Sequence, residues 1–539
     1  MSHKIILIGA DQPALDAVLS YKRTTPDATA TVLYPECNPL AEFSCVTLDS
    51  FMGNGIDFPE NLRACAIAPE DKTVMVRDNF TGEESHLEYD TLIFATGSAP
   101  APLDVPGSFL SGIRRVGDYN DATRLTAAEG TNVVIGDGLN LLLAIARLLD
   151  DAVGTIEVIP SSIPQACKPL GDAMTAMVLH HLTQKGVIIH TGETLKAIEG
   201  TNRANRVLTD KRTIEAARII NATSNIPVTC MVKDAGLDLD TTGHILVDDN
   251  LKAADSIYAC GGCASFISPA CAKPIPGASV KSTEPRQSRT LAASLAGTSQ
   301  PFHAPVCAYS IPMGDMTVAG AGLSMEGAKE CGFTPMSAMV VQFDRAHFMP
   351  EASLMTLELV FDAQTRRVVG IQGLGQSGDA LAGRISAVSA LLASHPTVED
   401  IANLEVAYSP PFASAMDILN TAGNVAENIL SGSNEGIDPL EFDTLWQNRE
   451  SNEYFFLDCR EFGNAEPFLE RHPLHWNTIP QGEIARRVAE VPRDKKVILI
   501  CNSGARSYEA QVCLKAAGIE DVVNVDGGMV AIKQSGVEI

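Results

Sequence analysis

Cys501 heads a loop whose residue types can make sulfur reactive. Val497-Ile498-Leu499-Ile500 is an apolar run that reads as a buried strand. Cys501-Asn502-Ser503-Gly504-Ala505-Arg506 follows as a tight loop of mostly small residues, and Ser507 to Leu514 reads as a helix. A cysteine placed there lies over a ring of loop N–H groups at the positive end of a helix, and both favour thiolate over thiol. Arg506 adds a cation that can close the loop and meet an anionic sulfur donor. The plain alternative is a buried structural cysteine beside a helix cap. A second group, Cys260-Gly261-Gly262-Cys263 with Cys271, raises the question of a metal. No histidine follows at ligand spacing, so no metal site is expected.

A Cys-x-x-x-x-Arg loop between strand and helix could also cradle phosphate, but phosphatases of that type carry one more loop residue. The six-residue loop suits sulfur better. Leu457-Asp458-Cys459-Arg460-Glu461, the Cys501–Ser507 loop and Asn524-Val525-Asp526-Gly527-Gly528-Met529 occur in order over the last part of the chain. Together they resemble a rhodanese (sulfurtransferase) domain. The resemblance implies that Cys501 carries a persulfide, that Asn502, Ser503, Gly504 and Ala505 bind the sulfur substrate, and that Arg506 assists.

Composition sets the wider bounds. At about 150 residues per domain, 539 residues suggest three or four domains. An apolar content of 45% with 20% charged is ordinary for a globular chain, and a net charge of −26 argues against nucleic acid or an anionic membrane as partner. No apolar run reaches the ~18 residues that would span a bilayer. The start of the chain runs straight into a strand, with no signal peptide expected. Thirteen cysteines without a framework point to a reducing compartment, so a cytoplasmic location is expected.

The elements before the sulfur loop follow an α/β order. Lys4 to Gly9 reads as a buried strand, Ala14 to Lys22 as a helix and Thr29 to Tyr34 as a second strand, the βαβ opening of a dinucleotide-binding fold. Tyr89-Asp90-Thr91-Leu92-Ile93-Phe94-Ala95-Thr96-Gly97 is a strand entering a glycine turn. Asn132 to Gly138 opens a second βαβ unit, with an apolar helix from Leu139 to Leu149. Ile257 to Gly262 repeats the strand-to-glycine pattern, and Arg286 to Leu295 reads as a returning helix. This order resembles the pyridine nucleotide–disulfide oxidoreductase superfamily, with Pro285-Arg286-Gln287-Ser288-Arg289 matching its return helix. Ala407 to Asp417 and Asn420 to Asn428 are similar to the interface domain of coenzyme A disulfide reductases, several of which end in a rhodanese domain. The resemblance covers the whole chain. It implies two Rossmann-like domains (1–115 and 241–300 for FAD, 116–240 for NAD(P)), an α+β dimerisation domain (301–432) and an α/β rhodanese domain (437–539), with Ser431 to Gly436 as linker and a homodimer as the assembly.

The family also implies site residues. Cys45, after Phe43-Ser44, would sit against the flavin and bond a small thiol or a sulfane sulfur. No second cysteine follows five residues later, so Cys45 cannot cycle as an internal disulfide in the manner of glutathione-reductase relatives. A core role for Cys45 is the plain alternative. Gly9, Ala10, Thr96, Gly97 and Gly261 would hold FAD, and Gly136 and Gly138 would hold NADH or NADPH. Lys22 and Arg23 would bind coenzyme A phosphates, with Ser44 beside the substrate, although cations also suit a helix C-terminus on their own account. Tyr408 would approach the active cysteine of a dimer.

Three departures fall at the flavin. The loop Gly9-Ala10-Asp11-Gln12-Pro13-Ala14 keeps one glycine of three, with a carboxylate where phosphate belongs. The second strand ends in Tyr34-Pro35 rather than an acid, and the family's Gly-Asp is Gly261-Gly262. The fold's shape and the remaining helix dipole can still hold the dinucleotide, so the expected function is an NAD(P)H- and FAD-dependent reductase of coenzyme A persulfide, disulfide or polysulfide, coupled to sulfur transfer. The alternative is a sulfurtransferase or sulfur carrier on a flavoprotein-like scaffold that has lost flavin binding.

Overall fold

The computed structural model describes residues 2–36, 51, 54–161, 170–232, 235–276 and 281–539. The chain divides into two compact units. The first comprises Met1–Gly154, Val158–Ile163 and His190–Cys307, and the second Thr155–Glu157, Pro164–Ile189 and Ala308–Ile539.

In the first unit, Lys4–Ile8 lies between Thr29–Pro35 and Thr91–Phe94, parallel to both, and Ile257–Ala259 extends the sheet beyond Thr91–Phe94. Ile5 to Ile8 are all buried, which is why this strand is apolar throughout rather than alternating. An antiparallel extension of Leu62–Ala68, Thr73–Asp78 and Glu84–Glu88 continues past Thr29–Pro35. The helix begins at Gln12, two residues before the sequence suggests, because Pro13 is tolerated in a first turn where its missing N–H has no partner to lose. Lys22 and Arg23 close its last turn, and it packs on the returning helix Glu284–Leu295. A second parallel sheet aligns Thr131–Gly136 with Arg218–Ala222 and the latter with Ile113–Arg115. The helix Gly138–Asp151 follows its first strand.

In the second unit, five antiparallel strands from Tyr309–Met313 to Val368–Gly375 form one sheet, with Gly378–Leu392 and Ile418–Leu430 packed against it. The C-terminal sheet is all-parallel, ordered Gly436–Ile437, Val522–Val525, Lys496–Ile500, Tyr454–Asp458, Trp476–Thr478. Its side chains alternate into two cores. Leu457, Cys459, Val497, Leu499 and Cys501 belong to one, and Phe456, Ile498, Ile500, Trp446 and Trp476 to the other. The two indole rings meet edge-on at 5.5 Å, and Phe442 and Phe456 pack beside them. The expected linker is pinned at its end. Glu435 donates its N–H to Gln511 Oε1 at 3.1 Å, and its carbonyl accepts from Gln511 Nε2 at 2.9 Å and the Asn524 N–H at 2.8 Å. Among the described residues, no helix is long and apolar enough to cross a membrane.

Candidate active site

The strand Lys496–Ile500 delivers Cys501 to the C-terminal edge of the parallel sheet, and the helix Ala505–Ala516 starts four residues later. The Cys501 sulfur accepts hydrogen bonds from the Gly504 N–H at 3.1 Å and the Ser507 hydroxyl at 3.2 Å. The loop is held from the other side by the turn at Gly527-Gly528. Met529 N–H donates to the Cys501 carbonyl at 2.8 Å and Val530 N–H to that of Asn502 at 3.1 Å. A Cβ on Gly528 would lie 2.4 Å from the Cys501 carbonyl oxygen, so only glycine allows that approach. Cys501 is buried, Asn502 and Ala505 are exposed, and Ser503, Gly504 and Arg506 are half-buried. Arg506 sits in the first helical turn and makes neither hydrogen bond to the sulfur. Ser507, buried in that same turn, makes one of them; its sequence position closes the loop motif and opens the helix but carries no expected role. Its position one residue after the loop arginine was the available signal.

Beside the loop, Asp458 is fully buried and paired with Arg460. Nε lies 2.9 and 3.1 Å from the two carboxylate oxygens, Nη2 lies 2.6 Å from Oδ2, and the Trp476 indole N–H adds a bond at 3.2 Å. Arg460 also stands over the Phe468 ring at 5.1 Å. These contacts anchor the end of the strand next to the one carrying Cys501.

The expected flavin residues converge at the C-terminal ends of three neighbouring parallel strands. Gly9 follows Lys4–Ile8, Thr96 and Gly97 follow Thr91–Phe94, and Gly261 follows Ile257–Ala259, with Ala10 in the first turn. At their centre lies the Asp11 carboxylate. Its Oδ2 accepts the Gly262 N–H at 3.1 Å and would stand 1.9 Å from a Cβ on Gly261. Gln287 Oε1 takes the Gly261 N–H at 2.7 Å. Burial pushes the Asp11 carboxyl up to about 6, the Gly262 N–H opposes this, Glu284 raises it further and Lys281 lowers it. The turns at the helix start form a seat of the kind that holds a dinucleotide pyrophosphate, and a side-chain anion is laid on it. FAD fits this seat when that carboxylate is protonated or turned away.

At the second nucleotide loop, Asp137 lies between Gly136 and Gly138 and accepts the Ser224 N–H at 2.9 Å and the Ser224 hydroxyl. Burial pushes its carboxyl up. Asn140 Nδ2 ties the first helical turn to the Thr223 carbonyl at 2.8 Å. Lys22 donates to the Ala28 carbonyl, whereas Arg23 is exposed. Ser44 and Cys45 lie outside the described residues. Tyr408 is 56% exposed, in the same unit as the exposed Phe348 and Phe412. Cys260 and Cys263 are buried, with the Cys263 thiol donating to the Cys260 carbonyl at 3.3 Å. No cluster of three metal-ligating side chains occurs among the described residues. Cys230 is held in a disulfide, a departure from the thiols expected of a reducing compartment.

Comparison with known proteins places these sites in a family. Residues 2–289 match the family of pyridine nucleotide-disulphide oxidoreductases, residues 305–419 its dimerisation domain and residues 441–535 the rhodanese-like domain. The solved structure of an NAD-dependent persulfide reductase from A. fulgidus is 27% identical. It superposes with a TM-score of 0.81 over 98% of this chain and 99% of that one. An FAD-dependent pyridine nucleotide-disulphide oxidoreductase from Desulfovibrio vulgaris is 32% identical, with a TM-score of 0.66 over 79% of this chain and all of its own. A CoA-dependent NAD(P)H sulfur oxidoreductase of Pyrococcus furiosus is 25% identical over 443 residues, 77% of this chain and 97% of that protein. The chain belongs to the pyridine nucleotide-disulphide oxidoreductase family, in the arrangement that adds a C-terminal rhodanese domain to the reductase.

Proposed function

We propose that this chain is an NAD(P)H- and FAD-dependent reductase of coenzyme A persulfide, coenzyme A disulfide or polysulfide, coupled to a rhodanese sulfurtransferase domain. The observation that carries the reading is the Cys501 sulfur held by the Gly504 N–H and the Ser507 hydroxyl at the start of a helix. Likeness along nearly the whole length to a persulfide reductase supports it. The Cys501 thiolate attacks the outer sulfur of an anionic donor such as thiosulfate. The sulfur–sulfur bond breaks, sulfite leaves, and Cys501 holds the transferred atom as a persulfide. Gly504 and Ser507 stabilise charge on the cysteine sulfur, and Arg506 draws in the anionic donor. Asn502, Ser503 and Ala505 shape the mouth. A thiolate acceptor, coenzyme A, then attacks the outer sulfur and leaves as its persulfide while Cys501 returns to thiolate.

In the reductase half, Gly9, Ala10, Thr96, Gly97 and Gly261 hold FAD, and Gly136 and Gly138 hold the nicotinamide nucleotide. Bound flavin supplies the two-electron relay between nicotinamide and sulfur. Cys45, with Ser44 beside it, bonds the sulfur substrate, Lys22 and Arg23 meet the coenzyme A phosphates, and Tyr408 acts across a homodimer. Exposed Tyr408, Phe348 and Phe412 support that assembly. The net charge of −26 argues against a nucleic-acid partner, and the scattered cysteines, thiols among those described apart from Cys230, support a cytoplasmic enzyme.

Peptide mass mapping after incubation with thiosulfate tests the reading. The Cys501 peptide gains one sulfur atom, and Cys501→Ser abolishes sulfur transfer. A Cys501 peptide that never gains sulfur refutes it. The position of Asp11 favours a second reading, a sulfurtransferase whose scaffold holds no flavin. That reading predicts a colourless protein that takes up no FAD and transfers sulfur regardless of NADH.

A further inference from the structure

Cys459 lies beside Cys501. The strands Tyr454–Asp458 and Lys496–Ile500 run parallel and pair Leu457 with Leu499 and Asp458 with Ile500. The ladder continues one step, since Cys459 N–H donates to the Ile500 carbonyl at 2.7 Å, so Cys459 stands opposite Cys501. Opposed residues of a parallel pair point to the same face. Cys459 and Cys501 accordingly enter the same apolar core, while Phe456, Ile498 and Ile500 enter the other. Each cysteine is 1% exposed. Neighbouring strands lie ~4.8 Å apart, inside the roughly 4.4–6.8 Å between Cα atoms that a disulfide spans. The two sulfurs also interact electrically. Burial pushes the Cys459 thiol above its ordinary range, negative charge on Cys501 and Asp458 adds to the push, and a backbone hydrogen bond from Ile500 and the Arg506 cation oppose it. In the reduced state the Cys459 thiol donates to the Leu457 carbonyl at 3.7 Å.

We propose that Cys459 is a resolving cysteine that discharges the Cys501 persulfide as sulfide, leaving a Cys459–Cys501 disulfide. The inference rests on the reading of Cys501 as a persulfide carrier. The Cys459 sulfur bonds to the inner sulfur of Cys501, the bond from that atom to the outer sulfur breaks, and the outer sulfur leaves with the Cys459 proton as hydrogen sulfide. The sulfane sulfur is reduced by two electrons, and the two thiol sulfurs supply them. Two molecules of a small thiol then restore the dithiol by exchange and become oxidised to their own disulfide. Closing the pair is a two-electron oxidation of two thiols, so it requires the sulfane sulfur of a persulfide as the electron acceptor and does not occur while Cys501 is unloaded. The domain thereby acquires two outputs. It transfers sulfane sulfur when an acceptor thiolate reaches the outer atom first, and it releases sulfide when none does.

The experiment loads the full chain with thiosulfate, removes the excess without adding thiol, and follows sulfide and peptide masses over time. Wild-type protein is expected to release up to one equivalent of sulfide per chain. As it does so, the persulfide on the Cys501 peptide declines and a crosslinked Cys459–Cys501 peptide pair appears. Cys459→Val still gains the persulfide, loses the thiol-free sulfide release and keeps the extra sulfur. Cys459→Ala serves the same purpose should the larger side chain disturb the core, and the wild-type crosslink needs no variant. Persulfide on Cys501 with no crosslink, or sulfide release equal in wild type and both variants, overturns this proposal and leaves the sulfurtransferase reading standing. Failure of every protein to gain the persulfide refutes both.

Discussion

Replacing Ser507 by alanine removes one of the two hydrogen bonds on the Cys501 sulfur while leaving the backbone of the loop in place. The hydroxyl stands 3.2 Å from that sulfur and 3.1 Å from the Gly504 carbonyl, so a single proton is divided between two acceptors. A hydrogen bond to a charged acceptor contributes roughly 1.5–3 kcal/mol. Division between two acceptors places this one at the lower end, about 1.5 kcal/mol, and at 1.36 kcal/mol per decade the loss corresponds to about tenfold. Ser507→Ala is therefore expected to transfer sulfur from thiosulfate about tenfold more slowly in a single turnover. The assay is rapid quench, with sulfite release as readout and thermal unfolding by circular dichroism as the check on folding. A variant that folds normally and transfers sulfur within about twofold of wild type would show that the Gly504 N–H and the helix start suffice, and the role given to Ser507 would be wrong.

Asp11→Asn removes the anion from the flavin seat, so calorimetric titration should show tighter FAD binding than in wild type. Because burial pushes the Asp11 carboxyl up to about 6, wild-type affinity for FAD should fall as pH rises through that value while the variant stays flat; equal pH profiles would refute this. Arg460→Ala leaves Asp458 buried without its guanidinium partner and is expected to destabilise the C-terminal domain by about 3–5 kcal/mol in urea unfolding. Glu358 is 5% exposed, and burial, aided by Glu326, Asp438 and Asp172 and opposed by the Ser337 hydroxyl, pushes its carboxyl from 4.5 up to about 7. The folded state thus keeps a proton that the unfolded chain has released, and stability falls as pH rises between those two values. Glu358→Gln should recover up to about 3 kcal/mol near pH ~8 and nothing near pH ~4, which denaturation at the two pH values measures.

The strand–loop–helix geometry around Cys501 was legible because a small set of residue types must follow one another in sequence to turn a strand into a helix around a sulfur. Cys501, Gly504 and the helix after them are local, and so is the Gly527-Gly528 turn that supports them. What involves contacts between distant stretches was not. The opposition of Cys459 and Cys501 depends on the register of two strands separated by some forty residues, which no local pattern encodes. Asp11 stands out in the sequence as foreign to a phosphate loop, but its bond to Gly262 depends on a turn from the far end of the first unit. Ser507 fell within the loop motif without a role, because a serine there suits the opening turn of a helix as well as a sulfur contact. Ser431 to Gly436 reads as a spacer by composition, yet Gln511 and Asn524 hold its end through backbone groups that any residue at position 435 would present.

The chain has two tryptophans, and both lie in the same C-terminal core, within 5.5 Å of each other. Selective excitation of indole therefore illuminates one domain only, and its emission is a private optical channel in a protein of 539 residues. The indole N–H of Trp476 rests on Asp458, the residue preceding Cys459. A change of covalent state at the sulfur pair is thus coupled by one peptide link to a natural chromophore, and loading and discharge can be watched in real time without attaching a dye.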